Sequence, residues 1–421
     1  MESLELKVAL GNDDSYNNKE RKSTVLEDLP YEILVEILGW LPIKSAAISK
    51  LTCKLWNGFI SDSWFAQVHR DRAIGNPGYL YLLSKYSTDK RISFAQNVGG
   101  QEIEGTRILF EEWTLCHETA TARTYASSGG LVALFNRDSY CYYVWNPFLK
   151  EKVKVPLNPP DFGDHRQQIW WGFSFSSLNG KYKIIHLSFP WINVTKFHVK
   201  IANHLGQGAI YTLGSKKWRT ITNNHTLLRP RDKGYVDCNG TLYWMNIREK
   251  EDQKNKSAPI GSFDVLSEKF RVWRGPPFCD HVSIDIRDMY YLIKMEDETV
   301  GFVRKNVSSF EIWSLRDKVN EVWIKEYNFL QRSILQLPFG FIGIGIWKMH
   351  SLFGIYNLRR EREKDRGKGF LAYHPSDDEF KVVNLPFTVT GDEGRISNIC
   401  LIFPHVGSLV SPKHVITKSE L

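Results

Sequence analysis

Between Leu29 and Leu41 the apolar residues Leu29, Ile33, Leu34, Val35, Ile37, Leu38, Trp40 and Leu41 recur at helical spacing. At about 100° per residue they sweep roughly 240° around the axis and leave Glu32, Glu36 and Gly39 on the wet side. An ordinary surface helix needs an apolar stripe of little more than about 100°. This one is therefore expected to be covered from two sides, one by its own segment and one by further protein, from this chain or from a partner. Pro30 suits a first helical turn, where a missing N–H costs nothing, and Pro42 ends the helix by pushing Leu41 out of the α region. Ser45 is expected to cap a second helix carrying Ala46, Ala47, Ile48 and Leu51. Thr52 is expected to cap a third with Leu55, Trp56, Phe59 and Ile60, and Ser63-Trp64-Phe65 reads as a tail.

Beyond residue 130 the pattern changes to short apolar-aromatic strands separated by charged turns. Five segments share this plan: VWNPFLKEKVKVPL from Val144, IYTLGSKKWRTI from Ile210, SFDVLSEKFRVW from Ser262, EIWSLRDKVNEVWIKEY from Glu311 and AYHPSDDEFKVVNLP from Ala372. FSFSSLNGKYKIIHL from Phe173, with its Asn179-Gly180 hairpin signal, reads as a sixth, looser copy. Asn239-Gly240 opens another strand, TLYWM. The turns of the five copies recur every 50 to 65 residues or so, enough for about four strands each. The expected fold is a small all-α N-terminal segment of three short helices, followed by a large mainly-β domain, an irregular β-propeller. A two-sheet sandwich would also supply many short strands, but does not require repeated aromatic-charged hairpins. Residues 71–124, where YLYLLSKYS looks helix-like and TRILF strand-like, read as a bridge plus first strands.

Composition narrows the class. The chain has 421 residues, 42% hydrophobic and 24% charged, with 14 Trp, as a globular β-rich chain would. Cys53, Cys116, Cys141, Cys238, Cys279 and Cys400 form no C-x-x-C pair, so free thiols in a reducing compartment are expected rather than a zinc site or disulfide scaffold. The opening MESLELKVALGNDD lacks the apolar core of a secretory signal. FGFIGIGIWKM is too short to span a bilayer. No membrane association is expected, and the location expected is cytoplasmic or nuclear. The final Lys418-Ser419-Glu420-Leu421 reads as a chance likeness to an ER-retention signal, and Asn193-Val194-Thr195 carries no weight as a glycosylation site. Residues 1–23 and 24–70 each carry four basic against five acidic groups, so residues 71–421 hold +10 against a whole-chain +8. That excess favours an acidic protein partner or unspecific contact with nucleic acid, against a background of scattered surface lysines.

The N-terminal pattern resembles the F-box. The likeness rests on Leu29-Pro30, the Ile33-Leu34 and Ile37-Leu38 steps, Leu41-Pro42 followed by Lys44-Ser45, Cys53-Lys54 with Trp56, and Phe65 with His69. It departs at Ala46, Ala47 and Ile48, where plant members usually have bulky leucines and an arginine. The later motifs are similar to the F-box-associated domain of plant F-box proteins. They run through Gly130-Leu131, Trp145-Asn146-Pro147, Gly172-Phe173, Tyr182-Lys183, Tyr211 and Leu213 with Trp218-Arg219, and Asn239-Gly240 with Leu242, Tyr243 and Trp244. Phe263-Asp264 with Glu268 and Phe270, then Ile312-Trp313 with Leu315, complete the set. Glu249–Lys256 and Arg359–Lys368 look like lengthened loops. The division this implies is a disordered tail at 1–23, the F-box at 24–70, bridge and first strands at 71–124, the F-box-associated β domain at 125–405, and a C-terminal tail at 406–421.

The resemblance implies a substrate-recognition subunit of a cullin-based (SCF-type) ubiquitin ligase. The F-box docks a Skp-type adaptor, which brings a cullin and a RING protein, and the β domain holds a target. The adaptor-binding residues it implies are Leu29, Pro30, Ile33, Leu34, Ile37, Leu38, Leu41, Pro42, Lys54 and Trp56, with the small Ala46 and Ala47 expected to weaken that contact. Target-binding candidates are Trp170 and Trp171, of which one is expected to be an exposed aromatic anchor, Trp191 at a loop top, and Arg359 and Arg360. Alternatives are an F-box scaffold or inhibitor that does not lead to degradation, and a propeller enzyme with a helical cap. No G-x-S-x-G, H-E-x-x-H or Walker loop occurs. His198 and His204 do not stand at a ligand spacing, and Glu111-Glu112 and Asp377-Asp378 read as solvated turn residues. No catalytic residue, metal, cofactor or specific nucleic-acid partner is expected.

Overall fold

The computed structural model describes residues 29–74, 78–86, 89–97, 108–114, 124–156, 159, 168–189, 207–221, 229–230, 234–246, 259–277, 289–295, 297–305, 309–330, 342–347, 351–357, 368–374, 379–383 and 398–417. The helical part holds α1 (Tyr31–Gly39), α2 (Ile43–Ser49), α3 (Lys54–Ser61) and α4 (Ser63–Ala73). The expected tail is thus a fourth helix. Asp62 caps it, accepting the Trp64 N–H at 2.7 Å, and Phe65, Ala66 and His69 form its buried side. The caps of the earlier helices also shift. Pro42 precedes α2, so Ser45 lies inside it. Cys53 rather than Thr52 caps α3, its Sγ accepting the Trp56 N–H at 3.5 Å.

The strands fall into four-stranded antiparallel groups. The first contains β1 (Gly78–Tyr86), β2 (Asp89–Asn97) and β3 (Ile108–Thr114); YLYLLSKY is therefore strand, not helix. Glu111 and Glu112 lie in β3 rather than in a turn. The second group is β4 (Thr124–Ser128), β5 (Leu131–Asn136), β6 (Cys141–Asn146) and β7 (Glu151–Lys154). The third is β8 (Gln168–Ser176), β9 (Lys181–Phe189), β10 (Gln207–Thr212) and β11 (Arg219–Thr220). The fourth is β12 (Val236–Cys238), β13 (Thr241–Met245), β14 (Pro259–Asp264) and β15 (Lys269–Arg274). A fifth runs through β16 (Met289–Lys294), β17 (Val300–Lys305), β18 (Ser309–Asp317) and β19 (Val322–Leu330). The sixth holds β20 (Ile342–Trp347), β21 (Ser351–Asn357), β22 (Lys368–His374) and β23 (Glu379–Val383). The fifth and sixth touch through one parallel pairing, Lys294 with Gly345, and otherwise keep the same plan. Finally β24 (Asn398–His405) pairs antiparallel with β1, so the end of the chain completes the group that its beginning started. Among the described residues this makes six blades of a propeller, each with its first strand innermost, β24 taking that place in the first.

The sequence repeats have a structural unit behind them. All five main copies are the outer hairpin of a blade, whereas the looser copy from Phe173 is the inner hairpin β8–β9. In the second, fourth and fifth blades the third strand ends on Asn146, Asp264 or Asp317, and the residue four positions on, Lys150, Glu268 or Glu321, has φ of 55 to 56°. The Asx side chain accepts turn N–H groups: Asn146 Oδ1 from Phe148 at 3.0 Å and Asp317 Oδ1 from Val319 at 2.7 Å. Such turns satisfy their own backbone; at the left-handed position Lys150 is exposed, whereas Glu268 and Glu321 are half-buried and pair with Lys183 and Arg219 and with Arg271.

Both faces of a central blade are buried. Trp170 is 2% exposed and Trp171 6%. Trp171 packs with Phe135 and Tyr142 of the second blade, and Trp170 with Trp244 of the fourth at 4.8 Å between centroids. Alternation along a strand does send them to opposite sides, but in a propeller each side meets a neighbouring blade. The expectation of an exposed Trp170 or Trp171 anchor is therefore corrected.

Residues 406–417 are no loose tail either. Gly407, Ser408, Leu409 and Val410 are buried, and α5 (Pro412–Thr417) packs on β6 and β7. Asn146, from the Trp-Asn-Pro motif, donates through Nδ2 to the Ser408 carbonyl at 2.8 Å and the Val410 carbonyl at 2.9 Å. Ser408 Oγ donates to the Gly130 carbonyl at 2.8 Å. Gly130 sits at φ +80°, and a Cβ there would run into Ser408.

Candidate functional site: the open side of the helical cluster

The broad apolar surface of α1 is divided between two neighbours. Leu34, Val35 and Leu38 point inward and are buried. Ile33, Ile37 and Trp40 lie on a different stripe and are 46%, 44% and 66% exposed. Leu38 joins one apolar cluster with Ile43, Ala46, Ile60, Phe65 and Ala66 of the other helices and with Leu131, Val144, Phe173, Leu409 and Val410 of the β domain. Ile43 and Phe148 both lie within 3.3 Å of the space a side chain at Gly407 would fill. The buried Arg70 guanidinium lies 4.3 Å from the centre of the Phe175 ring. The β domain thus seals one side of the helices, using the end of the second and third blades that carries their inner and outer turns.

The other side stays open. Of the fifteen large apolar side chains exposed among the described residues, nine belong to residues 31–74: Tyr31, Ile33, Ile37, Trp40, Ile48, Leu51, Leu55, Trp64 and Ile74. So strong a bias toward one small segment is what a protein-binding surface produces, since scattered exposure would favour the much larger β domain. Tyr31 packs edge-on against Phe59 at 4.9 Å and stacks on Trp64 at 6.0 Å. These rings are held rigid yet half in water, as aromatic anchors at interfaces are.

Internal struts fix this arrangement. Arg72 of α4 donates to the Val35 carbonyl at 3.2 Å and the Glu36 carbonyl at 3.3 Å, and pairs with the Glu36 carboxylate. It satisfies carbonyls in the last turns of α1 and puts a cation where the helix dipole favours one. Gly39 leaves room for this side chain: a Cβ there would meet the Arg72 guanidinium, which would have to swing aside. Hydrogen bonds from Trp40 and then Arg72 hold the Glu36 carboxyl below its ordinary pKa. His69 Nε2 bonds the Leu41 carbonyl at 2.9 Å across the cluster, and burial lowers its pKa.

The residues expected at an adaptor surface separate accordingly. Pro30, Ile33, Ile37, Pro42 and Lys54 are exposed, and Leu29, Leu41 and Trp56 are half-buried. Leu34 and Leu38 are corrected: both are buried against their own chain, at 6% and 1% exposure, and cannot touch a partner directly. Tyr31, Trp40, Ile48, Leu51, Leu55 and Trp64 are exposed as well and were not among the residues expected there. The width of the α1 stripe signalled a second side, but not which residues would form it. Ala46 is wholly buried against the β domain, so its small size serves packing within the chain and says nothing of a weakened adaptor contact. Trp191, Arg359 and Arg360 lie outside the described residues.

No group of three or more His, Cys, Asp or Glu that could hold a metal occurs among the described residues. Cys53, Cys141 and Cys238 are free thiols, and burial pushes that of Cys238 well up. His186, bonded to Tyr142 Oη at 2.8 Å, and His405, near Ser127 Oγ at 2.8 Å, are buried and depressed to about 3. Asp237 accepts the Ser128 hydroxyl at 2.5 Å and the Ser174 hydroxyl at 3.0 Å, tying three blades together, and burial raises its pKa to about 6. No helix among the described residues is long and apolar enough to cross a membrane.

A helical cluster sealed on one side by a propeller and open on the other is the organisation of an F-box protein with an attached interaction domain. Comparison with known proteins agrees. Residues 26–70 match the family described as F-box-like, and residues 87–339 match the family described as F-box associated beta propeller domain. The chain belongs to the F-box associated β-propeller family of plant F-box proteins. Relatives from Arabidopsis thaliana include a probable F-box protein, 26% identical over 72% of this chain and 68% of its own length. An F-box/kelch-repeat protein is 23% identical over 71% of this chain and 83% of its own length. Among solved structures, the β-propeller domain of the Trilobed protease from Pyrococcus furiosus is 9% identical, covers 73% of this chain and 96% of its own, and has a TM-score of 0.30. A subtype N11 neuraminidase-like protein of A/flat-faced bat/Peru/033/2010 (H18N11) is 11% identical over 78% of this chain and 89% of its own, with a TM-score of 0.31. At these values neither structure bears on activity.

Proposed function

We propose that this protein is the substrate-recognition subunit of an SCF-type ubiquitin ligase. The open side of the helical cluster docks a Skp-type adaptor through Tyr31, Ile33, Ile37, Trp40, Ile48, Leu51, Leu55 and Trp64. Pro30, Pro42 and Lys54 border that surface, and Leu29, Leu41 and Trp56 support it from beneath. The adaptor brings the cullin and the RING protein. The β domain holds the target, and the working location is the cytoplasm, the nucleus or both. The chain binds and positions; the ubiquitin chemistry belongs to other subunits, and holding target and ligase together raises their effective concentration.

The observation that carries this reading is the divided apolar surface of the helices, one side closed by the chain's own β domain and the other left with aromatic and aliphatic side chains in water. A cap serving only its own propeller would not need the second side. Capture of a purified Skp-type adaptor by the intact chain tests it. Ile33→Asp combined with Ile37→Asp is expected to abolish capture while the β domain melts as before; undiminished capture removes the proposal.

A further inference from the structure

The basic excess of the β domain is not spread over its blades. Residues 165–231, the third blade with its connections, hold ten Lys and Arg and no Asp or Glu. That equals the whole +10 of residues 71–421, so the rest of those residues are balanced. In the fifth blade, by contrast, Arg316 alone meets two carboxylates, Asp297 and Glu326, and Lys325 meets a third, Glu311.

Five of the described cations of the third blade gather where its two turns leave the sheet, at the end that carries the helices. The Leu213 N–H donates to the Tyr182 carbonyl at 2.9 Å, which sets Lys181 beside the outer turn of the same blade. That turn is pinned. The Ser215 N–H donates to the Thr212 carbonyl at 2.9 Å, Tyr211 Oη to the Ser215 carbonyl at 2.9 Å, and Ser215 Oγ to the Lys217 carbonyl at 3.1 Å. Trp218 packs on the Tyr211 ring, 5.2 Å between centroids. Lys216 and Lys217 are thereby held out in water, as is Lys181. The fourth blade contributes one carboxylate, Glu268, which is shared by the buried Lys183 and the exposed Arg219, each at 2.6 Å. The third blade itself has no carboxylate to offer the three lysines. Two leucines stand among these charges. Leu178, in the inner turn that leads to Lys181, is 82% exposed. Leu266 is 44% exposed, and the carbonyl of its neighbour Val265 receives Lys183 Nζ at 2.6 Å.

We infer that Lys181, Lys216, Lys217 and Arg219, with Leu178 and Leu266, dock a segment of the target protein in which acidic and apolar side chains are mixed. Its carboxylates meet cations that their own blade leaves without any, which speeds encounter and disfavours basic partners. The leucines add apolar contact that charge alone does not provide. A nucleic acid would bring similar charge, but base stacking uses exposed aromatic rings. The exposed aromatic side chains among the described residues, Tyr31, Trp40 and Trp64, all lie in the helical cluster. This inference rests on the reading of the β domain as the target-binding part and names the chemistry it recognises.

The test titrates the intact chain, by fluorescence anisotropy, with three labelled probes: a blocked peptide of three Glu-Leu-Glu-Gly repeats, its counterpart with Gln for Glu, and a single-stranded oligothymidylate of the same charge. The Glu peptide is expected to bind and the Gln peptide not to. Lys181→Glu, Lys216→Glu and Lys217→Glu together should weaken binding about tenfold or more. Lys154→Glu with Lys318→Glu, exposed lysines of the second and fifth blades, should change it by less than about twofold. Leu178→Ser should weaken it about threefold. If the triple variant does not melt like the parent, Lys216→Gln with Lys217→Gln replaces it, with a loss of about threefold expected. No binding of the Glu peptide, an equal loss in the Lys154 and Lys318 variant, or tighter binding of the oligonucleotide overturns the inference. Adaptor capture is read separately on the same preparation. Capture lost while the Glu peptide binds removes the receptor reading alone; capture kept with no peptide binding removes this inference alone.

Discussion

The helical cluster and the third blade both carry more apolar surface than one neighbour can cover, and they resolve the excess in opposite ways. On β8, Trp170 and Trp171 point to opposite sides and both are buried, because a blade has a blade on each side. On α1, Leu38 is buried while Ile37, one residue away, is 44% exposed, because the β domain covers the helices from one side only. Two-sided hydrophobicity is self-satisfied within a closed ring of blades. In a cluster attached to that ring by one face, it is a request for another protein.

The sharpest way to break this comparison is to exchange the two kinds of position. Phe65, fully buried between helices and β domain, and Trp64, the exposed residue beside it, are the first pair. Phe65→Ala is expected to lower stability by about 3–5 kcal/mol through lost burial and the cavity left behind. Trp64→Ala should cost under about 1 kcal/mol of stability, both read by denaturant titration. Next comes Ile37→Asp, which should weaken adaptor affinity by about 2–4 kcal/mol, as hot-spot losses do, with the melting temperature nearly unchanged in calorimetry. If Ile37→Asp instead unfolds the protein, the two sides of α1 do not differ as described.

Acid separates the regions less sharply. Burial depresses His186 and His405 to about 3, so the unfolded chain takes up these protons near pH 6.5 and the folded one does not. Their stabilising contribution is complete above pH 6.5 and is lost as pH falls toward about 3, at up to about 1.4 kcal/mol per pH unit for each imidazole. Asp237 acts in the opposite sense. Raised to about 6, it keeps its proton in the folded state through a range where the unfolded chain has released it, so stability is lost as pH rises from about 3.8 to about 6. Urea unfolding from pH 6.5 to 4.5 should therefore show a net loss that His405→Gln flattens and Asp237→Asn steepens. A modest effect is expected at the junction. Arg70→Ala removes the cation from the Phe175 ring at a cost of about 0.5–2 kcal/mol. It should raise amide exchange in α4 and in β8 without altering adaptor affinity.

Much of this architecture was legible in the residues. The Leu-Pro and Ile-Leu steps marked the helices, and the charged turns between apolar-aromatic strands marked the outer hairpin of five blades. What escaped has a physical cause in each case. The Asp62 cap was passed over because the apolar residues Trp64, Phe65, Ala66 and Val68 crowd into little more than one turn before the charged Arg70-Asp71-Arg72, so the fourth helix read as a tail. Helical periodicity measured the width of the apolar surface on α1, but the division between Leu38 and Ile37 depends on where the β domain docks, which periodicity does not contain. Strand alternation placed Trp170 and Trp171 on opposite faces and could not say that both faces are covered. The closure of the first blade by β24, and the clasp of Ser408 and Val410 by Asn146, join residues more than 250 positions apart, beyond the reach of any local pattern.

The central claim is tested most directly by amide hydrogen exchange of the intact chain, alone and bound to a purified Skp-type adaptor. The account predicts new protection in residues 31–40, 48–55 and around Trp64, with the junction formed by Ile43, Gly407 and the second-blade turn unchanged. Protection that appears instead on the propeller, or a complex that forms with no change in those helices, would contradict it.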